Sequence, residues 1–406
     1  MNILLITSLL ILPNSAHREI VGGTIAISDL VKYWTREHNV LCIREVTFGL
    51  KRYIKYRIDK LRGHKTILDD IPDKYILDGI VTYPIMWEYT HFFQLTGGYL
   101  NHYMDGKINR ILKQNNFVPD VIISHMPSYS VAYYIRRISA DVPRVAVLHS
   151  DIHYLMADVG ILHGKTISKM RSKSLDEAFD CIYTRSYSIY KNAKELGLKH
   201  LSDGIVTSGV PSYLPDIQRE WTQFVSKKVK ILYAGSLIER KGVQQVLKAL
   251  AALNSQFHYE FLIIGGGYYE TYLHELTGRL GLTEHVFFLG EKSRNEVMQY
   301  MLDSDIFITP SHHETFGLVY LEAMAMGCIT IGSKGEGIDG IIVDGQNGFL
   351  VDPYDVEDIA GKLQQVIHLT VEEIREIGTH AMEIVNTHAE EKVSEHYMDL
   401  IKKAIS

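Results

Sequence analysis

The chain has 406 residues, of which 46% are hydrophobic and 22% charged, and its formal net charge is -6. This length exceeds what one ordinary hydrophobic core organises, so two domains are expected. The negative charge argues against general nucleic-acid binding, and no apolar run beyond the N-terminal one approaches the ~20 residues that span a bilayer.

The predicted elements alternate between short apolar strands and segments of helical periodicity. The first candidate, "MNILLITSLLILP", resembles a signal peptide, but it lacks a basic start and a small-residue cleavage site. A first buried strand of a parallel sheet is therefore favoured. Further strands are predicted, in chain order, at "NVLCIREV", "YILDGIVTY", "DVIISH", "RVAVLH", "DCIYTRS" and "GIVTSG", with helical segments such as "TIAISDLVKYWTREH" between them.

A basic stretch interrupts this alternation at residues 51–65, "KRYIKYRIDKLRGHK", where seven lysines and arginines face a single aspartate. Apolar residues are interleaved with these charges, and a basic amphipathic helix of this kind can lie on an anionic membrane. A solvated helix whose apolar residues pack inward explains the same pattern. Peripheral membrane contact through residues 51–65 therefore stands as one of two open interpretations.

The alternation restarts after a polar, irregular stretch at about residues 211–228. The second half contains strand candidates "VKILYAGSL", "YEFLIIGGG", "HVFFLG", "DIFITPS", "CITIGS" and "GIIVDG". A repeated strand–helix pattern with one restart predicts an α/β protein with two doubly wound domains rather than one barrel. Ligands bind beyond the carboxyl ends of such strands, which makes a cleft between two domains the expected reaction chamber.

Three glycine-containing turns that follow strands are candidates for binding phosphate: "ILPNSAHREIVGGT", "YAGSLIERKGV" and "IIGGGYYE". Glycine lets backbone amides approach an anion, and a following helix adds its positive end. Arg240 and Lys241 in the second turn suit a diphosphate, although ordinary turns with exposed basic residues also fit. No dinucleotide G-x-G-x-x-G and no P-loop motif is present, so a dehydrogenase or a P-loop kinase is poorly supported.

The segment "SHHETFGLVYLEAMAMG", residues 311–327, contains two glutamates with seven residues between them. Glu314 is expected in a loop and Glu322 about a turn and a half inside the following helix. Amides of Phe316, Gly317 and Leu318 at the start of this helix can hold phosphate oxygens. Carboxylates accept hydrogen bonds from sugar hydroxyls, so one segment could bind a nucleotide sugar from ribose to transferred sugar.

The C-terminal half resembles the retaining glycosyltransferases of family 4 and their GT-B relatives. The motifs that carry the likeness are "YAGSLIERKGV", "FLIIGGG", "VFFLGEKS", "YMLDSDIFITPSHHETFGLVYLEAMAMG" and "DGQNGFLV", in this order. The resemblance implies two Rossmann-like domains facing each other across a cleft: an acceptor-binding domain at 1–210, onto which a helix at 388–406 packs back, and a donor-binding domain at 211–387. Two departures are Ser236, where many relatives have arginine, and Ile329, where proline is usual.

The resemblance also implies residue roles. Glu322 would bind the ribose hydroxyls, Glu314 the donor sugar, and Lys241 with Arg240 the diphosphate, while His149 would lie beside the reacting sugar. The expected catalytic residues are His149, Glu314 and Lys241, and the expected donor-binding residues are Gly22, Gly23, Ser236, Arg240, Lys241, Gly265, Glu314, Thr315, Phe316, Gly317, Leu318 and Glu322.

No metal and no cofactor is expected, because the resemblance implies that amides and cations stabilise the diphosphate. The adjacent His312 and His313 face different ways on any regular element and cannot grip one ion together. Cys42, Cys181 and Cys328 form neither a disulfide framework nor a metal-ligand pattern, which favours a reducing cytoplasm.

These observations together predict a metal-independent, retaining glycosyltransferase. Its donor would be a nucleotide-diphosphate sugar, with a UDP-sugar preferred, and its acceptor a saccharide or a lipid-linked saccharide in bacterial surface polysaccharide or glycoconjugate biosynthesis. The expected location is the cytoplasm, at the inner face of the membrane if residues 51–65 bind lipid. The alternatives are an inactive nucleotide-sugar-binding partner subunit and a nucleotide-sugar epimerase of the same fold.

Overall fold

The chain divides into two units in the computed structural model. The structure describes residues 1–7, 22–49, 58–59, 61–64, 71–89, 101–127, 129–139, 141–149, 173–211, 221–222, 224, 228–253 and 257–406. The first unit comprises Met1–Arg185, Ile189–Ser208 and Val393–Ser406, and the second comprises Ser186–Ser188 and Gly209–Lys392. The sequence had placed the corresponding boundaries after residues 210 and 387.

The first unit is built on one sheet whose order is β3-β4-β2-β1-β5-β6-β7-β8. Its strands are β1 (Asn2–Thr7), β2 (Asn39–Gly49), β3 (Tyr75–Leu77), β4 (Ile80–Tyr89), β5 (Val121–His125), β6 (Arg144–Leu148), β7 (Cys181–Thr184) and β8 (Leu201–Ile205). The described pairings are parallel except for that of β3 with β4. The strand order reverses between β1 and β5, and this switch point is where such sheets bind ligands.

The segment "YILDGIVTY" is a β-hairpin, so its prediction as one strand was wrong. β3 and β4 pair antiparallel across Asp78 and Gly79, which have φ angles of 48° and 81°. Two consecutive positive φ values give the turn that matches the twist of a strand pair, and Asp-Gly readily adopts them. The hairpin adds an antiparallel edge to an otherwise parallel sheet.

The second unit is built on a parallel sheet with the order β11-β10-β9-β12-β13-β14. Its strands are β9 (Val229–Ala234), β10 (Tyr259–Ile264), β11 (Val286–Gly290), β12 (Ile306–Ile308), β13 (Ile329–Ser333) and β14 (Phe349–Val351). This is the order of a doubly wound Rossmann-like sheet, and its switch point lies between β9 and β12. The predicted strand "GIIVDG" was wrong: the positive φ angles of Gly340 and Gly345 bound a turn, and the edge strand is β14.

The helices include α1 (Gly22–Trp34), α2 (Asn101–Gln114), α3 (Tyr129–Tyr134), α4 (Tyr187–Glu195), α5 (Val243–Ala252), α6 (Glu270–Arg279), α7 (Arg294–Leu302), α8 (Leu318–Ala325), α9 (Val356–Ile367), α10 (Val371–Thr387) and α11 (Glu390–Ile405). The last of them brings the end of the chain into the first unit from Val393 onward. Tyr397 and Ile401 of α11 share a buried cluster with Ile3 of β1 and Trp34 of α1.

The basic stretch at 51–65 lies mostly outside the described residues, so its proposed membrane contact stays a prediction. Within the described ranges, no helix is both long enough and apolar enough to cross a bilayer.

Candidate functional site

The turn after β9 places two cations at the switch point of the second unit. Glu239–Lys241 form a single turn of 3-10 helix, and Gly242 follows with a φ of 75°. A Cβ atom on Gly242 would overlap the carbonyl oxygen of Pro310. Only glycine therefore lets this turn lie directly against the loop that follows β12, which brings Arg240 and Lys241 to that loop.

Lys241 Nζ and Glu314 Oε2 form a hydrogen-bonded ion pair between these two loops. Ser311 Oγ donates to the same carboxylate oxygen at 3.2 Å. Burial would raise the pKa of Glu314, but the charge and hydrogen bond of Lys241, then the charge of Arg240 and the Ser311 bond, outweigh it and hold the pKa below its usual value. Glu314 is therefore a fixed carboxylate, suited to accept hydrogen bonds and unsuited to donate a proton.

Glu336, which was not predicted from the sequence, fixes the backbone of Glu314. Its Oε2 accepts a hydrogen bond from the Glu314 amide at 2.8 Å. The Gly337 amide donates to the Glu314 carbonyl at 2.9 Å, and a Cβ atom on Gly337 would overlap the backbone of Thr315. The loop after β13 thus supports the loop after β12. The only sequence signal for Glu336 was its place after a predicted strand.

The backbone amides at the start of helix α8 are candidates for binding phosphate. Its N-cap is Gly317, with a φ of 80° and no side-chain cap. Within the part of the chain that the structure describes, the amides of Phe316, Gly317 and Leu318 have no hydrogen-bond acceptor. The Phe316 ring is buried with Tyr320 in the core of this unit and anchors the loop. Free amides at the positive end of a helix are suited to hold phosphate oxygens.

Glu322 is the fifth residue of α8, inside the helix as the sequence predicted. Its Oε1 accepts hydrogen bonds from Arg294 Nε at 3.0 Å and from Arg294 Nη2 at 2.7 Å. Arg294 begins α7 directly after Ser293, whose side chain closes a capping box with Glu296. Arg294 was not predicted from the sequence, because no spacing rule relates residues 28 positions apart on two different helices.

Gly265 joins the loops after β9 and β10. It has a φ of 133°, and a Cβ atom there would overlap the carbonyl oxygen of Gly235. Its amide donates to the Gly290 carbonyl at 2.9 Å, so this amide is engaged within the protein. Ser236 is exposed, and its carbonyl accepts a hydrogen bond from the Tyr233 hydroxyl at 2.9 Å. Glycine is therefore required at position 265 because two backbone segments approach each other closely there.

His149 lies directly after β6 in the first unit and is only 6% exposed. Its Nε2 lies 2.8 Å from His125 Nδ1, and His125 Nε2 lies 2.9 Å from the Tyr397 hydroxyl oxygen. Burial first and the charge of Arg185 second lower the pKa of both histidines well below the usual value. Both imidazoles are therefore neutral at pH 7. Neither His125 nor Tyr397 was predicted from the sequence, in which they are 272 positions apart.

The other residues discussed in the sequence analysis lie at the start of α1 and in the loops after β9 and β12. Gly22 and Gly23 are the first two residues of α1, and the loop before them lies outside the described residues. The His312 amide donates to the Arg240 carbonyl at 2.8 Å, and Arg240 Nη1 donates to the His313 carbonyl at 3.3 Å. In the described ranges, no group of three or more His, Cys, Asp or Glu side chains could hold a metal ion.

Residues 216–382 match the model of the family described as "Glycosyl transferases group 1". The lipopolysaccharide core biosynthesis glycosyltransferase LpsE of Rhizobium meliloti is 27% identical over 188 residues, which are 46% of this chain and 54% of that protein. The N-acetyl-alpha-D-glucosaminyl L-malate synthase of Bacillus anthracis is 30% identical over 174 residues, 42% of this chain and 44% of that protein. The chain spans about half the length of these curated relatives.

Solved structures resemble the whole chain. Sucrose-phosphate synthase from Thermosynechococcus elongatus superimposes with a TM-score of 0.72 at 16% identity, over 99% of both chains. Anabaena HepE in complex with UDP gives a TM-score of 0.70 at 17% identity, over 99% of this chain and 100% of that one. Identities this low show the fold alone, and the fold is GT-B, as the sequence resemblance implied.

Proposed function

We propose that this chain is a metal-independent, retaining glycosyltransferase that uses a nucleotide-diphosphate sugar. Its residues 216–382 match the model of the glycosyl transferases group 1 family. One observation supports this proposal most directly: Glu314, which is paired with Lys241, lies two residues before Phe316, and among the described residues the amides that open α8 have no acceptor. A diphosphate needs cations and N–H donors, whereas a sugar needs acceptors for its hydroxyls. The second unit provides both groups on adjoining residues.

In the proposed reaction, the bond between the anomeric carbon and the β-phosphate oxygen breaks. A bond from the acceptor oxygen to that carbon forms on the same face, and the acceptor proton passes to the departing diphosphate. Lys241, Arg240 and the amides of Phe316 and Gly317 would stabilise the charge that develops on the leaving group. Glu314, held as a carboxylate, would fix the sugar through its hydroxyls. No protein nucleophile is assigned.

Glu322 would bind the ribose in this proposal. Both observed Arg294 bonds go to its Oε1, so its Oε2 can accept the two vicinal hydroxyls without breaking the ion pair. Arg294 would thereby orient the carboxylate and keep it ionised.

A UDP-sugar is the proposed donor, and HepE, a structural neighbour, was solved in complex with UDP-glucose. The proposed acceptor is a saccharide or a lipid-linked saccharide of a bacterial surface glycoconjugate, in keeping with the name of the lipopolysaccharide core enzyme that the chain resembles. The proposed setting is the cytoplasm, with membrane contact through residues 51–65.

Transfer and hydrolysis of UDP-sugars by the purified protein test this proposal. We expect the wild type to release UDP with an excess of EDTA present and Lys241→Ala to lower the rate at least 100-fold, the scale expected for removing a charge that stabilises a leaving group. Lys248→Ala, an exposed lysine on the adjoining α5, should leave the rate unchanged. Binding of UDP-sugars without turnover would indicate an inactive partner subunit, and recovery of an epimerised donor would indicate an epimerase.

A further inference from the structure

Three side chains of the first unit form a continuous hydrogen-bonded chain. The Tyr397 hydroxyl bonds His125 Nε2 at 2.9 Å, and His125 Nδ1 bonds His149 Nε2 at 2.8 Å. The rings also meet edge to face, with centroid distances of 5.7 Å for Tyr397 and His125 and 5.1 Å for the two histidines. Helix α11 therefore reaches His149 through one intermediate side chain.

The protonation pattern of these three hydrogen-bonded side chains follows from the chemistry of imidazole. A neutral imidazole has one N–H donor and one acceptor nitrogen. If Tyr397 donates to His125 Nε2, the proton of His125 is on Nδ1 and is donated to His149 Nε2. His149 must then carry its own proton on Nδ1. If both hydrogen bonds have the opposite direction, His149 Nε2 is the donor, so His149 Nδ1 has no proton and can only accept.

Arg185 favours the first of these two directions. Its guanidinium is buried and acts electrostatically on Tyr397, His125 and His149. A nearby positive charge favours the hydroxyl orientation in which the O–H proton points away from the charge, and arginine itself offers only donors. His125 Nε2 is the acceptor for that proton in the observed geometry.

We propose that Tyr397 and His125 are positioning residues that hold His149 with its proton on Nδ1, so that Nδ1–H can donate to a hydroxyl oxygen of a sugar substrate. This inference rests on the proposed function, because it adds His149, which the sequence resemblance puts beside the reacting sugar, to the groups proposed to contact a substrate. It gives the C-terminal helix a part in catalysis beyond packing, since α11 sets the hydrogen-bonding character of a residue that directly follows β6.

Nitrogen-15 NMR of the histidine-labelled full chain tests the inference directly, because two-bond proton–nitrogen couplings distinguish Nδ1–H from Nε2–H imidazole. The chain has 19 histidines, so the His149 signals are assigned from a His149→Gln spectrum. The test variant is Tyr397→Phe, which keeps the ring and removes the hydroxyl. The matched control is Tyr183→Phe: the Tyr183 hydroxyl also bonds α11, at the Leu400 carbonyl at 2.8 Å, but not the histidines.

We expect Nδ1–H His149 in the wild type and in Tyr183→Phe, and a mixture of tautomers or the Nε2–H form in Tyr397→Phe. The kcat of Tyr397→Phe should fall about fivefold with little change in the donor KM, the size expected for one mispositioned hydrogen bond. His125→Phe, which removes both bonds but keeps an aromatic ring, should change tautomer and kcat in the same direction.

An Nε2–H His149 in the wild type, or a Tyr397→Phe spectrum equal to that of Tyr183→Phe, overturns the inference. The spectra need no turnover, so they decide the tautomer claim even if the chain transfers no sugar. In that case the proposed function fails, while the inferred direction of the hydrogen bonds from Tyr397 through His125 to His149 stands. A changed tautomer with an unchanged kcat in an active enzyme overturns the catalytic part of the inference.

Discussion

Arg294 and Glu322 form an ion pair, with 2.7 Å between Arg294 Nη2 and Glu322 Oε1, so the carboxylate proposed for ribose binding is already held by a cation. Glu322 is 12% exposed and Arg294 43% exposed. The carboxylate therefore has its orientation set before a nucleotide arrives. Such preorganisation lowers the entropy lost on binding.

Glu322→Gln should remove the preference of the protein for UDP over its 2′,3′-dideoxy analogue. The amide keeps the shape but offers one acceptor oxygen instead of two, and its NH₂ group faces the donors of Arg294. We expect the affinity for UDP to fall about tenfold, the scale of one charge-assisted hydrogen bond. Affinity for the 2′,3′-dideoxy analogue should hardly change. Isothermal titration of both ligands measures this, and an equal loss for the two would contradict the assignment.

Glu314→Gln should separate diphosphate binding from sugar transfer. The observed carboxylate competes with a diphosphate for Lys241 and repels it, so its neutralisation should tighten UDP binding about tenfold, for roughly 1.4 kcal/mol of removed competition and repulsion. Transfer should fall at the same time, because the sugar loses its acceptor. Glu239→Gln, an exposed carboxylate in the same turn as Lys241, is the control for charge alone. Weaker UDP binding in Glu314→Gln would show that the glutamate is needed for the diphosphate itself.

The sequence predicted the parts of the site that lie close together along the chain. Glu314, the amides before Leu318 and Glu322 belong to one segment, so strand and helix periodicity sufficed to put the first two before the helix and Glu322 inside it. The alternation of strands and helices likewise predicted two doubly wound units. These features depend on local order and on the direction of successive strands.

What the sequence did not predict depends on contacts between distant segments. Arg294 reaches Glu322 because α7 and α8 pack side by side, and Tyr397 reaches His125 because α11 returns to the first unit. No periodicity encodes such a register. The missed hairpin at Asp78 and Gly79 was a different kind of error. Asp-Gly is a local turn signal, but the apolar residues on both sides of it were interpreted as one continuous strand.

Gly265→Ala should destabilise the second unit through its backbone. The φ of 133° is unfavourable for alanine, and the new Cβ would overlap the Gly235 carbonyl. We expect a loss of about 2–4 kcal/mol in the free energy of unfolding. Gly278→Ala is the matched control, because Gly278 lies in α6 and a methyl group added there would meet nothing within 4 Å beyond the backbone of its own helix. It should gain about 0.5–1 kcal/mol. Urea unfolding measures both, and an unaffected Gly265→Ala would contradict the close approach of the two loops.

Glu45 should make the stability of the first unit depend on pH. It lies on β2 with 3% exposure and accepts a hydrogen bond from the Tyr134 hydroxyl at 2.9 Å. Burial raises the pKa of Glu45 to about 7, against the lowering effects of the Tyr134 bond and of Arg44. A carboxyl that holds its proton more tightly when folded contributes stability that is fully present below the unfolded pKa of about 4.5. That contribution is lost as the pH rises through about 7.

Glu45→Gln, which keeps an acceptor for Tyr134 but cannot ionise, should remove this dependence. Relative to that variant, the free energy of unfolding of the wild type should fall by about 3 kcal/mol between pH 4 and pH 8. Urea unfolding followed by tryptophan fluorescence measures the difference at each pH, since Trp34 is buried in the same unit. Glu195 is an exposed carboxylate on α4, so the free energy of unfolding of Glu195→Gln should depend on pH as that of the wild type does. A wild type that instead gains stability relative to Glu45→Gln as the pH rises would mean that the Glu45 carboxylate is stabilised when ionised, through a cation that outweighs its burial.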